Sequence, residues 1–299
     1  MSVENMKSTQ RDRMMHGRGF IAALDQSGGS TPKALTAYGY QANDWRDEDE
    51  MFALVHEMRC RFMQAPSFKS GSILGAILFE KTLLGQVDGL PTAQYLWEQA
   101  KVIPFLKVDA GLAELESGVQ QMKPMPRLSE LLALANRHDV YGTKMRSVIH
   151  ELNPVGIEAV VAQQFDVAQR VLDAGLVPII EPEVNIKAED RAAIEDLLAA
   201  QLMDHLNQLS DQQEVILKLS LPQLPNSYAA LRDHAAVQRL VALSGGFARR
   251  EACQHLAKND GMIASFSRAL LEGLSANQSD EDFNQGLNKI IEQVVAASR

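Results

Sequence analysis

The sequence predicts an α/β fold, a (β/α)8 TIM barrel in a single domain over 1–299, with 1–17 as a polar N-terminal lead-in. Three observations predict it. Short apolar runs of β type alternate with longer helical ones, the order that builds a parallel sheet covered by helices. The short runs number eight across roughly 250 residues, which is the repeat count of the barrel. Charged residues inside several of them fall on one face near the C-terminal end, where this architecture gathers its reactive groups. A doubly wound open sheet is the runner-up, but no G-x-G-x-x-G follows the first run.

In chain order, strands are read at 19–26, 73–80, 103–109, 141–147, 176–184, 215–221, 237–246 and 262–267. Each is a short apolar stretch rich in Ile, Val, Leu and Phe and bounded by turn residues or charges. Apolar residues at i, i+3 and i+4 predict helices over 51–63, after the acidic start Asp47-Glu48-Asp49-Glu50, and over 127–137. The same spacing predicts helices over 157–174 (closed by Gly175), 188–209, 249–258 and 282–297, and with a weaker pattern over 83–99 and 226–234. There is no internal repeat, low-complexity tract or Gly/Ser/Pro-rich linker.

Of the 299 residues 46% are hydrophobic and 22% charged, which places the chain among globular proteins. A net charge of −9 argues against non-specific nucleic-acid binding, yet leaves room for a local cation cluster that holds a small anion. The first residues lack the apolar core of a signal peptide, and no stretch approaches the ~20 apolar residues that span a bilayer. A cytoplasmic protein with no membrane partner is the expectation. Cys60 and Cys253 lie far apart with no C-x-x-C spacing, so reduced thiols are expected. The seven histidines show no H-x-H or H-x-x-x-H spacing, so no metal is expected.

Lys218 interrupts the apolar run Val215-Ile216-Leu217-Lys218-Leu219-Ser220-Leu221. Burying an ammonium in low dielectric is costly, and a lysine so placed tends to shed its proton and become a nucleophile for carbonyls. Side chains alternate along a strand, so Lys218 shares a face with Ile216 and Ser220. Ile21, Ala23 and Asp25 share a face in the same way, as do Phe105, Lys107 and Asp109. So do Gly142, Lys144 and Arg146, and Ile179, Glu181 and Glu183. Glu181 and Glu183 flank Pro182 and could serve as an acid/base pair, or equally as ion-pair partners of the cations. Lys144 and Arg146 could form a phosphate clamp, cationic neighbours of Lys218, or an internal salt-bridge network. Asp25, before the Gly-rich turn Gln26-Ser27-Gly28-Gly29, could orient an amine or cap the next helix. Ser244-Gly245-Gly246 follows the seventh strand, and Ser265 and Arg268 follow the eighth. Those loops commonly hold phosphate in this fold, and a Gly-Gly turn lets backbone N–H groups approach an anion.

These same blocks make the chain resemble the class I, Schiff-base fructose-bisphosphate aldolases of the short bacterial type, from about Gly17 to the last helix. The blocks are 22–30, 105–109, 142–147, 177–183, 217–219, 243–246 and 265–270. The resemblance implies that Lys218 is the Schiff-base lysine and Glu181 the general acid/base, with Asp25, Lys144 and Glu183 as supporting charges. It implies that Lys107 and Arg146 lie near the distal phosphate, and that Ser244, Gly245, Gly246, Ser265 and Arg268 hold the phosphate nearest the ketone. It implies metal-independent, reversible cleavage of a sugar bisphosphate with no cofactor. One departure concerns the end of the chain: the long animal enzymes finish in a tail with a terminal tyrosine, whereas this chain finishes Ala296-Ala297-Ser298-Arg299. The rivals are a transaldolase-like Schiff-base transferase, a metal-dependent aldolase and a non-enzymatic barrel scaffold. Subunit number is not legible, so a homo-oligomer stays open, as does the choice between fructose 1,6- and sedoheptulose 1,7-bisphosphate.

Overall fold

A computed structural model describes residues 3–27 and 30–299; Gly28 and Gly29 of the Gly-rich turn lie outside the described residues. Eight strands form one parallel sheet in chain order: β1 (Phe20–Leu24), β2 (Ile73–Leu78), β3 (Ile103–Lys107), β4 (Gly142–Ile149), β5 (Val177–Val184), β6 (Val215–Ser220), β7 (Val237–Leu243) and β8 (Met262–Ala264). The Ala23 N–H donates to the Phe266 carbonyl at 3.1 Å and joins the last edge to the first, so the sheet is a nearly closed barrel. The eight strands coincide with the eight runs read from the sequence, each within a few residues.

The outward faces of these strands pack under helices. Six of these match the sequence: Glu48–Gln64, Leu128–Arg137, Pro154–Asp173, Arg191–Leu206, Arg249–Leu256 and Asp280–Ala297. Several start where the chain supplies an acceptor for orphan helix N–H groups: Asp47 accepts from Glu50 N at 2.9 Å, Asn153 from Gly156 N at 3.1 Å and Ser279 from Asp282 N at 3.1 Å. The segment 83–99 differs from the single helix expected. It holds the helices Glu80–Leu83 and Thr92–Glu98 with a two-residue hairpin between them, Gln86–Val87 against Leu90–Pro91. Asp88 and Gly89 turn that hairpin with φ of 50° and 76°, the backbone a tight turn of this hand demands. The segment 226–234 shortens to the helix Ala229–Arg232. A helix over Ser30–Tyr38, before Glu48–Gln64, has no counterpart in the sequence reading.

The interior of the barrel begins with an apolar layer. Ile21, Ala23, Leu74, Ile77, Ile103, Phe105, Tyr141, Ile179, Ile216, Val241 and Ile263 form one buried cluster there, distinct from the larger core under the helices. Phe105 fits because the edges of its ring lie against glycines of β2 and β4. A Cβ on Gly75 would lie 2.9 Å from one edge of its ring, and a Cβ on Gly142 would lie 3.0 Å from the other. The ring also meets Tyr141 edge to face, with centroids 5.7 Å apart.

Met14 belongs to this interior cluster and is fully buried. It comes from 1–17, read from sequence as a polar lead-in, which folds over Val3–His16 as a helix across the N-terminal end of the barrel. Arg239 of β7 clasps the end of that helix, donating to the Met14 carbonyl at 2.8 Å and the Gly17 carbonyl at 3.1 Å. With the bottom plugged, the C-terminal mouth is the open end.

Candidate active site

Two residues beyond the apolar layer, the inward face changes character. After Ala23 comes Asp25, after Phe105 Lys107, after Gly142 Lys144, after Ile179 Glu181, after Ile216 Lys218 and after Ile263 Ser265. Strand periodicity makes this ring: the residue two along from an inward apolar side chain also points inward, one step nearer the mouth.

The ring closes into a chain of charges. Lys218 Nζ lies 3.1 Å from Glu181 Oε1. The other oxygen of that carboxylate, Oε2, lies 2.9 Å from Lys144 Nζ. Lys144 Nζ donates to Asp25 Oδ2 at 2.7 Å. Lys218 and Glu181 are 3% exposed, Lys144 4% and Asp25 8%, so these charges interact with little screening by water. Burial opposes the charge on both Asp25 and Lys144, and their neighbours prevail. Lys144 and Lys218 hold the Asp25 carboxyl well below the usual carboxylate range, and Asp25, Glu181 and Asp109 hold Lys144 above the usual lysine value. Lys144 is therefore a fixed cation, and Glu181 lies between two amines.

The two glutamates engage different cations. Glu183 Oε2 accepts from Arg146 at 2.9 Å. Burial works against the Arg146 charge, but Glu183, Glu181 and Asp109 outweigh it and raise its pKa. Lys107 donates to Asp109 twice, to Oδ1 and to the main-chain carbonyl, each at 2.7 Å. Lys107 and Arg146 thus form a cationic rim on β3 and β4.

A second rim lies on β7 and β8. Val241 and Leu243 pair with Lys218 and Ser220, so the turn that follows β7, Ser244-Gly245-Gly246, leaves directly beside the lysine strand. Gly245 and Gly246 have φ of 60° and 113°, which exposes their main-chain N–H groups in a way side-chain-bearing residues rarely match. Ser265 is buried with its hydroxyl unpartnered among the described residues, and the exposed Arg268 reaches back so that its NH2 lies 4.0 Å from where a Gly246 Cβ would be. All the candidate residues named from sequence are brought to this one mouth.

Sequence reasoning gave no role to three supports. Asp109 holds Lys107 and also accepts from Gly111 N at 3.1 Å, while its Oδ2 stays buried without a partner among the described residues. Arg59, in Glu48–Gln64, is 1% exposed and donates to the Gln26 carbonyl at 2.7 Å and to the Thr82 hydroxyl. Burial lowers its pKa to about 10, with Asp25 acting the other way, so it stays charged at neutral pH. Gln26 in turn donates to Ser267 Oγ at 2.7 Å, which ties the Asp25 loop to the loop after β8. The signal was present: Met51, Val55, Phe62 and Met63 mark the buried face of that helix, and Arg59 falls on it.

Among the described residues no helix is long and apolar enough to cross a membrane, and no group of three or more His, Cys, Asp or Glu side chains converges as a metal ion requires. Fold and mouth define a barrel enzyme with a buried lysine between two cationic rims, suited to a small anionic substrate. The model of the glycolytic class I fructose-bisphosphate aldolase family matches residues 5–224. The chain is 53% identical over 289 residues to the fructose-bisphosphate aldolase class 1 of Synechocystis sp., covering 97% of this chain and 96% of that one. It is 51% identical over 293 residues to the enzyme of the same name from Clostridium acetobutylicum, covering 98% and 99%. In fold it is similar to the fructose-bisphosphate aldolase of Plasmodium falciparum, solved in complex with TRAP and a small-molecule inhibitor, with a TM-score of 0.81 and 19% identity over 99% of this chain and 94% of that one. The chain belongs to the class I fructose-bisphosphate aldolase family: it is a lyase, and the class works through a lysine Schiff base.

Proposed function

We propose that Lys218 is the Schiff-base lysine of this aldolase, with Glu181 as its acid/base, in the reversible cleavage of fructose 1,6-bisphosphate to dihydroxyacetone phosphate and glyceraldehyde 3-phosphate. One observation carries the reading: Lys218 Nζ and Glu181 Oε1 meet at 3.1 Å, both buried, at the open end of the barrel. Breaking the C3–C4 bond of a ketose leaves an electron pair that must be stabilised. The Lys218 amine attacks C2 in its uncharged form; the substrate oxygen leaves as water with one amine proton and one proton from the Glu181 carboxyl, and the protonated imine that remains is the electron sink. Glu181 takes the proton of the C4 hydroxyl, the C3–C4 bond breaks and glyceraldehyde 3-phosphate leaves. The enamine is protonated at C3, and hydrolysis of the imine frees dihydroxyacetone phosphate and the lysine.

The surrounding charges have distinct tasks in this scheme. Lys144, held as a cation by Asp25, sets the field at Glu181. Glu183 aims Arg146, which with Lys107 receives the phosphate far from the ketone. Ser244, Gly245, Gly246, Ser265 and Arg268 receive the phosphate beside the ketone. Cys60 and Cys253 are both free, and burial raises each thiol to about 11, which suits a reducing, cytoplasmic setting and leaves neither as a competing nucleophile.

Borohydride reduction in the presence of dihydroxyacetone phosphate should add one triose phosphate to Lys218, read by peptide mass. A folded chain that binds the ligand and gains no mass there would reject the assignment. Lys218→Arg should leave trace turnover, and Glu181→Gln should keep imine formation better than cleavage. Equal loss of both would refute the role given to Glu181.

A further inference from the structure

The seam between β5 and β6 is unlike the others beside it. Paired register between these strands ends at Ile179↔Ile216 and Ile180↔Leu217, whereas β4 and β5 stay paired from Gly142↔Val177 through Ile149↔Val184. The next two positions on the opened seam are Glu181 and Lys218. Ladder pairing would have fixed the two backbones at about 4.8 Å; beyond Leu217 something else must set their spacing.

Ser220 does so. Its side chain is fully buried, and its single hydroxyl accepts from Val184 N at 2.9 Å and donates to the Val184 carbonyl at 2.7 Å. One side chain thus satisfies both main-chain groups of a residue on the opposite strand, three positions beyond Glu181, from a place two positions beyond Lys218. On the outer side, Gln164 donates to the Glu181 carbonyl at 3.4 Å and to Ser147 Oγ at 2.8 Å, so β5 is braced from the helix layer as well.

We infer that Ser220 is a positioning residue: its hydroxyl holds the separation of β5 and β6 at which Lys218 Nζ and the Glu181 carboxylate meet. The inference rests on Lys218 being the imine-forming residue. Without the hydroxyl, Val184 keeps a buried N–H and C=O with no partner, so the strands must shift to find water or each other. Either shift changes the lysine–glutamate approach, to which a reaction needing near-attack geometry is steeply sensitive.

The test compares the parent with Ser220→Ala and with Ser220→Cys, which nearly keeps the volume but hydrogen-bonds weakly. Imine formation with dihydroxyacetone phosphate is followed in a single turnover by borohydride quenching, alongside kcat and KM. Both variants should form the imine roughly tenfold or more slowly, with kcat falling in step and KM moving less than about threefold. A merely structural role would lower the melting temperature and leave the rate per folded molecule unchanged, and that result would overturn the inference. Should the alanine variant fail to fold, the cysteine variant decides. The parent separates the two levels of argument: no trapped mass on its Lys218 defeats the reading of the site, while normal trapping with equal rates in the variants defeats only the seam.

Discussion

Asp25 and Lys144 form a buried ion pair whose members shift in opposite directions, which makes pH a probe of it. The folded pKa of Asp25 lies below its unfolded value of 3.8. The unfolded chain therefore takes up the proton first, and the stability this group supplies is complete above that value and lost as pH falls below it. Lys144 behaves in mirror image: its contribution is complete below the ordinary 10.5 and lost only as pH rises beyond it. Across neutral pH the pair is fully charged. Asp25→Asn would strand a buried ammonium with Glu181 as its remaining contact, at a cost of about 3–5 kcal/mol near neutrality. The gap between parent and variant should begin to shrink below about pH 4, because protonation of the unfolded parent there removes part of the stability that the folded carboxylate supplies. Urea midpoints at about pH 7 and pH 3 measure it, and a gap equally wide at both would contradict this account. At this scale the sequence is unusually informative. A lysine or aspartate inside an apolar strand conflicts with its surroundings, and that conflict is visible without coordinates. Asp109 and Ser220 give no such signal, because an acid at a strand end and a serine in a strand are ordinary until their partners are known.

The elements divide by whether their residues must alternate. β1 to β8 bury one face in the barrel and the other under helices, so their apolar runs and parity can be read directly. The hairpin between Gln86 and Pro91 escapes the sequence reading although Asp88-Gly89 is a strong turn signal, because the spacing of apolar residues around it suggests a helix. The first helix hid for the opposite reason. Of its 14 residues only Gln10 and Met14 are buried, too few to show a stripe. Its contribution is concentrated in one side chain, since Met14 joins Ile21, Leu74 and Val241 in the buried apolar floor. Met14→Ala should cost about 2–5 kcal/mol in denaturant unfolding, the range for a methionine deleted from a packed core. Because this floor lies at the end opposite the charged ring, kcat and KM should stay within twofold of the parent below the melting transition. A variant equally stable, or one with collapsed turnover while folded, would show that the helix does something other than plug the barrel.

For the molecule as a whole, the net charge and the local charge oppose each other. The chain carries −9, yet a bisphosphate must approach and bind. The fold resolves this by directing Lys107, Lys144, Arg146 and Lys218 into the mouth from β3, β4 and β6, with Arg268 at the rim, while acids such as Asp47, Glu48, Asp49 and Glu50 lie on the helical exterior. Lys144 and Lys218 face Asp25 and Glu181, so their net field on an incoming anion is small. The attraction must come mostly from the rims, where Arg146 keeps about two-fifths of its side chain in water and Arg268 is exposed. Charges exposed to solvent are screened by salt and buried ones far less, with a Debye length near 10 Å at 0.1 M and about 3 Å at 1 M. If the buried ring does the chemistry and the wet rims do the capture, as proposed, raising sodium chloride from about 0.05 M to 0.5 M should increase KM for the bisphosphate severalfold while kcat changes less than about twofold. Arg268→Gln should raise KM at low salt and flatten its salt dependence. If salt instead lowered kcat and left KM alone, the exposed rims would not be the groups that draw the substrate in.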